Sequence, residues 1–128
     1  MVSVVYIVFS AFLIFHLSMQ VIKLRRKHKV RLGDAGHSDL INAISAQSNA
    51  IEYLPIALLL LLGLEINTAN IIIIHVCGIT LLLGRLVHAR AMRTDNLKLR
   101  VTGMQITFYV IIAMAILNMV YLPYSKIF

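Results

Sequence analysis

The sequence predicts an all-α membrane protein in which four transmembrane helices form an up-down bundle. Of its 128 residues, 60% are hydrophobic and only 13% are charged, which leaves more apolar surface than a soluble domain of this length covers. The apolar residues also fall into four runs of about 20 residues, the length at which a helix crosses a bilayer. Residues 1–128 are therefore predicted to form one domain.

The polar segments between the apolar runs set the helix ends. No basic residue precedes the first run and no small-residue cleavage site follows it, so we interpret it as a transmembrane helix rather than a signal peptide. Ser38 or Asp39 is the expected N-cap of the second helix, and Pro123 is expected to stop the fourth. The four predicted helices cover residues 2–23, 38–65, 71–92 and 99–122.

The distribution of charge predicts how the helices are oriented. The net charge is +7, and eleven of the twelve Lys and Arg residues lie in the stretches 23–31 and 85–100. Both stretches lie between apolar runs, so the positive-inside rule accounts for them better than nucleic-acid binding does. It predicts that loops 1–2 and 3–4 face the cytoplasm and that both termini lie on the other side of the membrane.

A stripe of polar residues along helix 2 indicates a site. Its members recur at spacings of four and three and share one face: Ser38, Asn42, Ser45, Asn49 and Glu52. Glu52 lies about 20 Å along helix 2 from its C-terminal end, and Arg85 lies about 22 Å along helix 3 from its start. The two are therefore predicted to lie at the same depth and to form an ion pair, since unpaired charges are costly in a membrane.

Such a pair is compatible with a purely structural role in holding the helices together. The further donors at the same end, on Asn49, Gln47, Arg100, Arg25 and Arg26, favour a water-filled pocket for an anionic ligand. The chain has no HExxH or CxxC motif, and its single cysteine lies in an apolar run, so no metal site is predicted.

Three segments resemble a known family. AQSNAIEYLP on helix 2, LLLGRLVHA on helix 3 and LRVTGM at the start of helix 4 look like the membrane-associated proteins in eicosanoid and glutathione metabolism (MAPEG). The resemblance covers nearly the whole chain, and the N-x-x-E-Y-x-P pattern from Asn49 to Pro55 is fairly specific. It implies a homotrimer of four-helix subunits that binds glutathione, as a co-substrate, between neighbours near the cytoplasmic face.

The resemblance also implies roles for individual residues. It places Arg100 beside the glutathione thiol, where a fixed guanidinium stabilises the nucleophilic thiolate. It implies a lipophilic second substrate taken up from the membrane, and leaves transferase, peroxidase and isomerase chemistry open. Eight further residues match glutathione-binding positions: Arg25, Arg26, Gln47, Asn49, Glu52, Tyr53, Arg85 and His88.

Several positions depart from the family's pattern. Ser45 stands where many members carry arginine, His88 and Met92 stand where some carry tyrosines, and Val101 and Met104 replace a serine or tyrosine after the helix 4 arginine. These departures resemble the small bacterial branch, and they imply a bacterial inner-membrane protein.

Two alternative functions stay open. One is a non-catalytic membrane protein that keeps the family's fold without turnover. The other is a small four-helix multidrug-type transporter, in which Glu52 would be the intramembrane carboxylate. Such a carrier needs its carboxylate near the midplane and accessible from both sides, whereas Glu52 is predicted towards one end. In each case a polar stripe cannot face lipid, so association of subunits is expected.

Overall fold

The computed structural model describes residues 1–124 and contains four long helices, with no strand in that range. The helices are α1 (Ser3–His28), α2 (Ser38–Ile66), α3 (Ile71–Arg93) and α4 (Leu97–Tyr121). Each is long and apolar enough to cross a membrane, which confirms the predicted all-α fold of a multi-pass membrane protein. The domain was predicted to extend to residue 128, with the C-terminus on the non-cytoplasmic side of the membrane. Residues 125–128 lie outside the described range.

The first and last helices are longer at the basic end of the bundle than predicted. We call the end that carries loop 29–37 and turn 94–96 the basic end. Helix α1 continues to His28 instead of residue 23, because Lys and Arg form helix readily and positive charge is favourable at a helix C-terminus. Helix α4 begins at Leu97, where the side chain of Asn96 caps it by accepting from the N–H of Leu99 at 3.1 Å.

The predicted N-cap of α2 is wrong. The cap position is His37, which makes no side-chain cap hydrogen bond, and both Ser38 and Asp39 lie within the helix. The carboxylate of Asp39 is instead bound to α1, at 2.9 Å from Nε2 of His28 and 3.6 Å from Nζ of Lys27. These contacts tie the beginning of α2 to the end of α1 across the loop.

Close packing of α3 against α4 positions the interior of the bundle. A Cβ atom added to Gly103 of α4 would lie 2.7 Å from the backbone nitrogen of His88 and 2.9 Å from the carbonyl oxygen of Gly84, both on α3. Only glycine allows the backbones to approach so closely. Helix α1 packs mainly on α2, and within the described residues its backbone does not come close to that of α4.

At the opposite end, Glu65 of α2 caps the N-terminus of α1. Its carboxylate accepts hydrogen bonds from the backbone N–H groups of Val2 and Ser3 and from the hydroxyl of Ser3. Free N–H groups at a helix start need such acceptors, so this contact fixes the ends of α1 and α2 together. Between the two ends, large leucine side chains fill the core without exposure: Leu54, Leu61, Leu64 and Leu81.

Candidate functional site

The polar residues inside the bundle converge on the guanidinium of Arg85 in α3, which is only 1% exposed. Its Nη2 donates to Oδ1 of Asn49 on α2 at 2.5 Å and lies 3.2 Å from Nδ1 of His88. Its Nη1 donates to Oγ1 of Thr107 on α4 at 3.5 Å and lies 3.7 Å from Sδ of Met104. We call these five residues the Arg85 cluster. Because three helices contribute to it, the guanidinium is held in one place.

The Arg85 cluster contains a cation but no carboxylate. Arginine is only a donor, so Nδ1 of His88 accepts and the neutral ring carries its proton on Nε2. Nε of Arg85 is buried without a hydrogen-bond partner within the described part of the chain. Both salt bridges found between residues 1 and 124 involve Asp39, at the membrane edge. A buried charge without a counter-ion is costly, so this cluster favours a nearby anion.

The predicted ion pair between Glu52 and Arg85 is wrong for the single subunit. Glu52 is exposed, and its carboxylate lies in no salt bridge or hydrogen bond of the described residues. Helical rise predicts the height of the two residues along the bundle, but not the direction of their side chains. Glu52 lies three residues after Asn49, which turns it about 60° around the axis of α2. Asn49 therefore reaches Arg85, while Glu52 faces outwards.

Two other predicted site residues make packing contacts within the subunit. Gln47 is half-buried against α1, where its Nε2 donates to Oγ of Ser18 at 2.8 Å. The ring of Tyr53 packs edge-to-face on Phe108 of α4, with the ring centroids 5.3 Å apart. Neither side chain hydrogen-bonds to the Arg85 cluster.

The remaining predicted residues are arginines at the basic end. Arg100 is exposed in the first turn of α4, one turn before Gly103, which packs on the backbone of His88. Arg26 is exposed, and Arg25 is half-buried with its Nε buried and unpartnered among residues 1–124. Helices α1 and α4 do not pack directly against each other within the described residues, so no helix–helix contact holds these two arginines against Arg100.

Two members of the Arg85 cluster, Thr107 and Met104, were not predicted as site residues, and Thr107 makes the more direct contact. Its hydroxyl accepts from Arg85 and donates to the carbonyl oxygen of Gly103 at 2.9 Å. A signal was present in the sequence, because Arg100, Gly103 and Thr107 recur at spacings of three and four and so share one face of α4.

Chemically, the arrangement suits an anion. Guanidinium groups bind carboxylates through two parallel hydrogen bonds, and the exposed arginines are available at the same end as the buried one. Among residues 1–124, no three His, Cys, Asp or Glu side chains are grouped so that they could hold a metal ion.

Comparison with known proteins agrees with this architecture. The sequence profile described as "MAPEG family" matches residues 3–120. The chain is 40% identical over 128 residues to "Inner membrane protein YecN" of Escherichia coli strain K12, and the match covers 100% of this chain and 98% of the E. coli protein. The protein of the same name from E. coli O6:H1 strain CFT073 matches with the same identity and coverage.

Proposed function

The chain belongs to the MAPEG family, and from this premise we propose that it is a membrane-bound glutathione-dependent enzyme. It activates the glutathione thiol for attack on a lipophilic electrophile or hydroperoxide. The Arg85 cluster carries the proposal, because it keeps a guanidinium inside the bundle with only neutral partners. Such a group makes the local potential positive. Glutathione, with two carboxylates and an ionisable thiol, is a ligand that this potential favours.

The charged groups of glutathione can be matched to side chains. Its carboxylates suit the guanidinium groups of Arg25 and Arg26, which can donate in pairs, while the buried Arg85 adds its positive charge to the site without donating to the ligand. Its ammonium group suits Glu52, whose carboxylate is exposed and is not taken by Arg85. The absence of the expected ion pair in the subunit thus leaves Glu52 free to bind a ligand.

Arg100 is proposed to act on the thiol. It lies in the first turn of α4, where the helix N-terminus adds partial positive charge to that of the guanidinium. Positive neighbours lower the pKa of a thiol and so raise the fraction of thiolate. The thiolate then attacks the carbon of an electrophile and the leaving group departs with the bonding electrons. With a hydroperoxide it attacks the terminal oxygen, the O–O bond breaks to release an alcohol, and a second glutathione converts the resulting sulfenic acid to glutathione disulfide and water. The membrane supplies either lipophilic substrate.

The site is proposed to lie between subunits of a homotrimer. Within the described residues of one subunit α1 and α4 do not pack against each other, which favours a ligand that contacts Arg25 and Arg26 of one subunit and Arg100 of a neighbour. Glu52 also faces outwards from α2, and a carboxylate is costly against lipid. A neighbouring subunit on this face covers Glu52 and completes the pocket.

Ultraviolet difference spectroscopy of the purified protein tests the proposal. Adding glutathione is expected to produce thiolate absorbance that saturates, whereas S-methylglutathione, which has no ionisable thiol, gives none. Glutathione binding without thiolate would support the non-catalytic alternative. If neither compound binds, the glutathione proposal is wrong.

A further inference from the structure

A chamber of about 570 Å³ opens at the basic end between α1, α2 and α3. No member of the Arg85 cluster lines it, since that cluster lies between α2, α3 and α4. Gln20 and Lys23 of α1, Asn42 of α2 and Arg93 of α3 supply polar walls, and Leu17 is among its apolar residues. The chamber is large enough for a small polar group and is lined by both polar and apolar atoms.

The chamber continues into a groove of about 440 Å³ between α1 and α3. Four residues line both spaces: His16, Leu17, Gln20 and Arg93. The groove extends to Leu13, ten residues or about 15 Å from Lys23 along α1, and to Leu86 on α3. It therefore runs from the polar end of the bundle into the apolar zone. Helices α1 and α3 pack least of all the contacting pairs, which leaves this crevice open.

Positive charge is in excess along the two spaces. Arg93 lines both of them, Lys23 lines the chamber and Arg90 lines the groove. All three are exposed, and none forms a salt bridge within the described residues. Two acidic residues, Asp39 and Asp95, also line the chamber, and Asp39 is already bound by two side chains of α1. The two spaces together therefore hold three cations and one carboxylate, that of Asp95, outside these salt bridges, which favours an anionic group.

We propose that a phospholipid binds here, with its phosphodiester where the chamber meets the groove and one acyl chain in the groove. The phosphate contacts Arg93, with Lys23 on the chamber side and Arg90 on the groove side, and the chain passes Leu13 and Leu86. Basic pockets between transmembrane helices bind lipid headgroups in this way. The lipid fills the crevice between α1 and α3. This proposal is independent of the glutathione site, since it uses none of the residues assigned to that ligand.

Native mass spectrometry of the delipidated protein in mild detergent tests which part of a lipid is recognised. Phosphatidylglycerol is expected to remain bound at one molecule per subunit. Diacylglycerol, which has the chains without the phosphate, is not retained, and glycerol 3-phosphate, which has the phosphate without chains, does not displace the lipid. Equal retention of diacylglycerol, or displacement by glycerol 3-phosphate at lipid concentrations, would overturn the proposal.

Charge-removing variants locate the site. Each basic residue at an anionic headgroup contributes about a fivefold change in affinity, so the double variant Arg90→Gln/Arg93→Gln should bind phosphatidylglycerol on the order of 25-fold more weakly. The matched control is Arg31→Gln/Lys98→Gln, which removes two exposed charges at the same end that line neither space. Equal losses in both variants, or no loss in the first, would contradict the assignment. Melting temperatures verify that both variants are folded.

Discussion

The guanidinium of Arg85 is surrounded by acceptors from three helices, and Asn49 makes the shortest of these contacts. Replacing Asn49 by alanine removes that acceptor while the charge stays buried. Hydrogen bonds to charged groups contribute about 1.5–3 kcal/mol, so Asn49→Ala should lower the free energy of unfolding in mild detergent by about that amount. The control is Asn42→Ala on the same helix, because Asn42 is half-buried and its side chain makes no hydrogen bond within residues 1–124. Equal stabilities of the two variants would contradict the role of Asn49.

Glu52 is exposed and free of Arg85 in the subunit, so its role is expected in binding rather than in the stability of the subunit. Glu52→Gln should keep the melting temperature of the subunit fold but weaken glutathione binding roughly tenfold or more, because a charged partner of the ammonium is lost. Titration calorimetry measures the affinity, with Ser45→Ala on the same stripe as the control. Unchanged affinity would show that Glu52 does not bind glutathione. A large fall in melting temperature would show that Glu52 instead stabilises the subunit.

The sequence predicted the members of the site better than their mutual contacts. Spacing along α2 and depth along α3 singled out Asn49 and Arg85, and the resemblance added His88; the structure brings these three together. The partner of Arg85 was wrongly predicted as Glu52, because helical rise gives height and does not give the direction that each helix presents to its neighbours. That direction depends on the packing of all four helices.

At the scale of the helices, the contact between α3 and α4 positions both His88 and Arg100. Gly103→Ala would place a methyl group 2.7 Å from the backbone nitrogen of His88, and backbone cannot move aside as a side chain can. We expect the free energy of unfolding to fall by about 1–3 kcal/mol, the usual cost of overpacking, together with loss of glutathione binding. Gln105→Ala is the matched control, since Gln105 is exposed on α4. Wild-type stability in Gly103→Ala would mean that the helices are not this close.

The number of helices could be predicted from the sequence, but the residues at which they end could be predicted less well. Long apolar runs predict transmembrane helices, because in lipid a helix is the structure in which a single segment forms all its own backbone hydrogen bonds. The extension of α1 through its basic residues adds no apolar signal, so hydrophobicity alone ended it too early. Glu65 caps α1 by binding Ser3, which lies 62 positions earlier in the sequence. This cap therefore depends on tertiary packing that local sequence does not report.

For the whole molecule, the proposed glutathione site requires that subunits associate. Glu52 faces away from its own subunit, and the arginines of α1 and α4 lie on helices that do not pack against each other within the described residues. We therefore expect chemical cross-linking in mild detergent to produce a trimer. Products that stop at the dimer would contradict a threefold site and would favour the transporter alternative.

The central claim is that Arg100 converts bound glutathione to its thiolate. The direct measurement is thiolate absorbance at saturating glutathione for wild type, Arg100→Lys and Arg100→Ala, with turnover of an aromatic electrophile recorded in parallel. Lys98→Ala, which removes an exposed charge from the same helix turn, is the control. We expect the highest thiolate signal in wild type and in the control. Arg100→Lys should give an intermediate signal, because lysine keeps the charge but loses the planar guanidinium. Arg100→Ala should give almost none, although glutathione still binds. An equal thiolate signal in wild type and Arg100→Ala would contradict the role of Arg100.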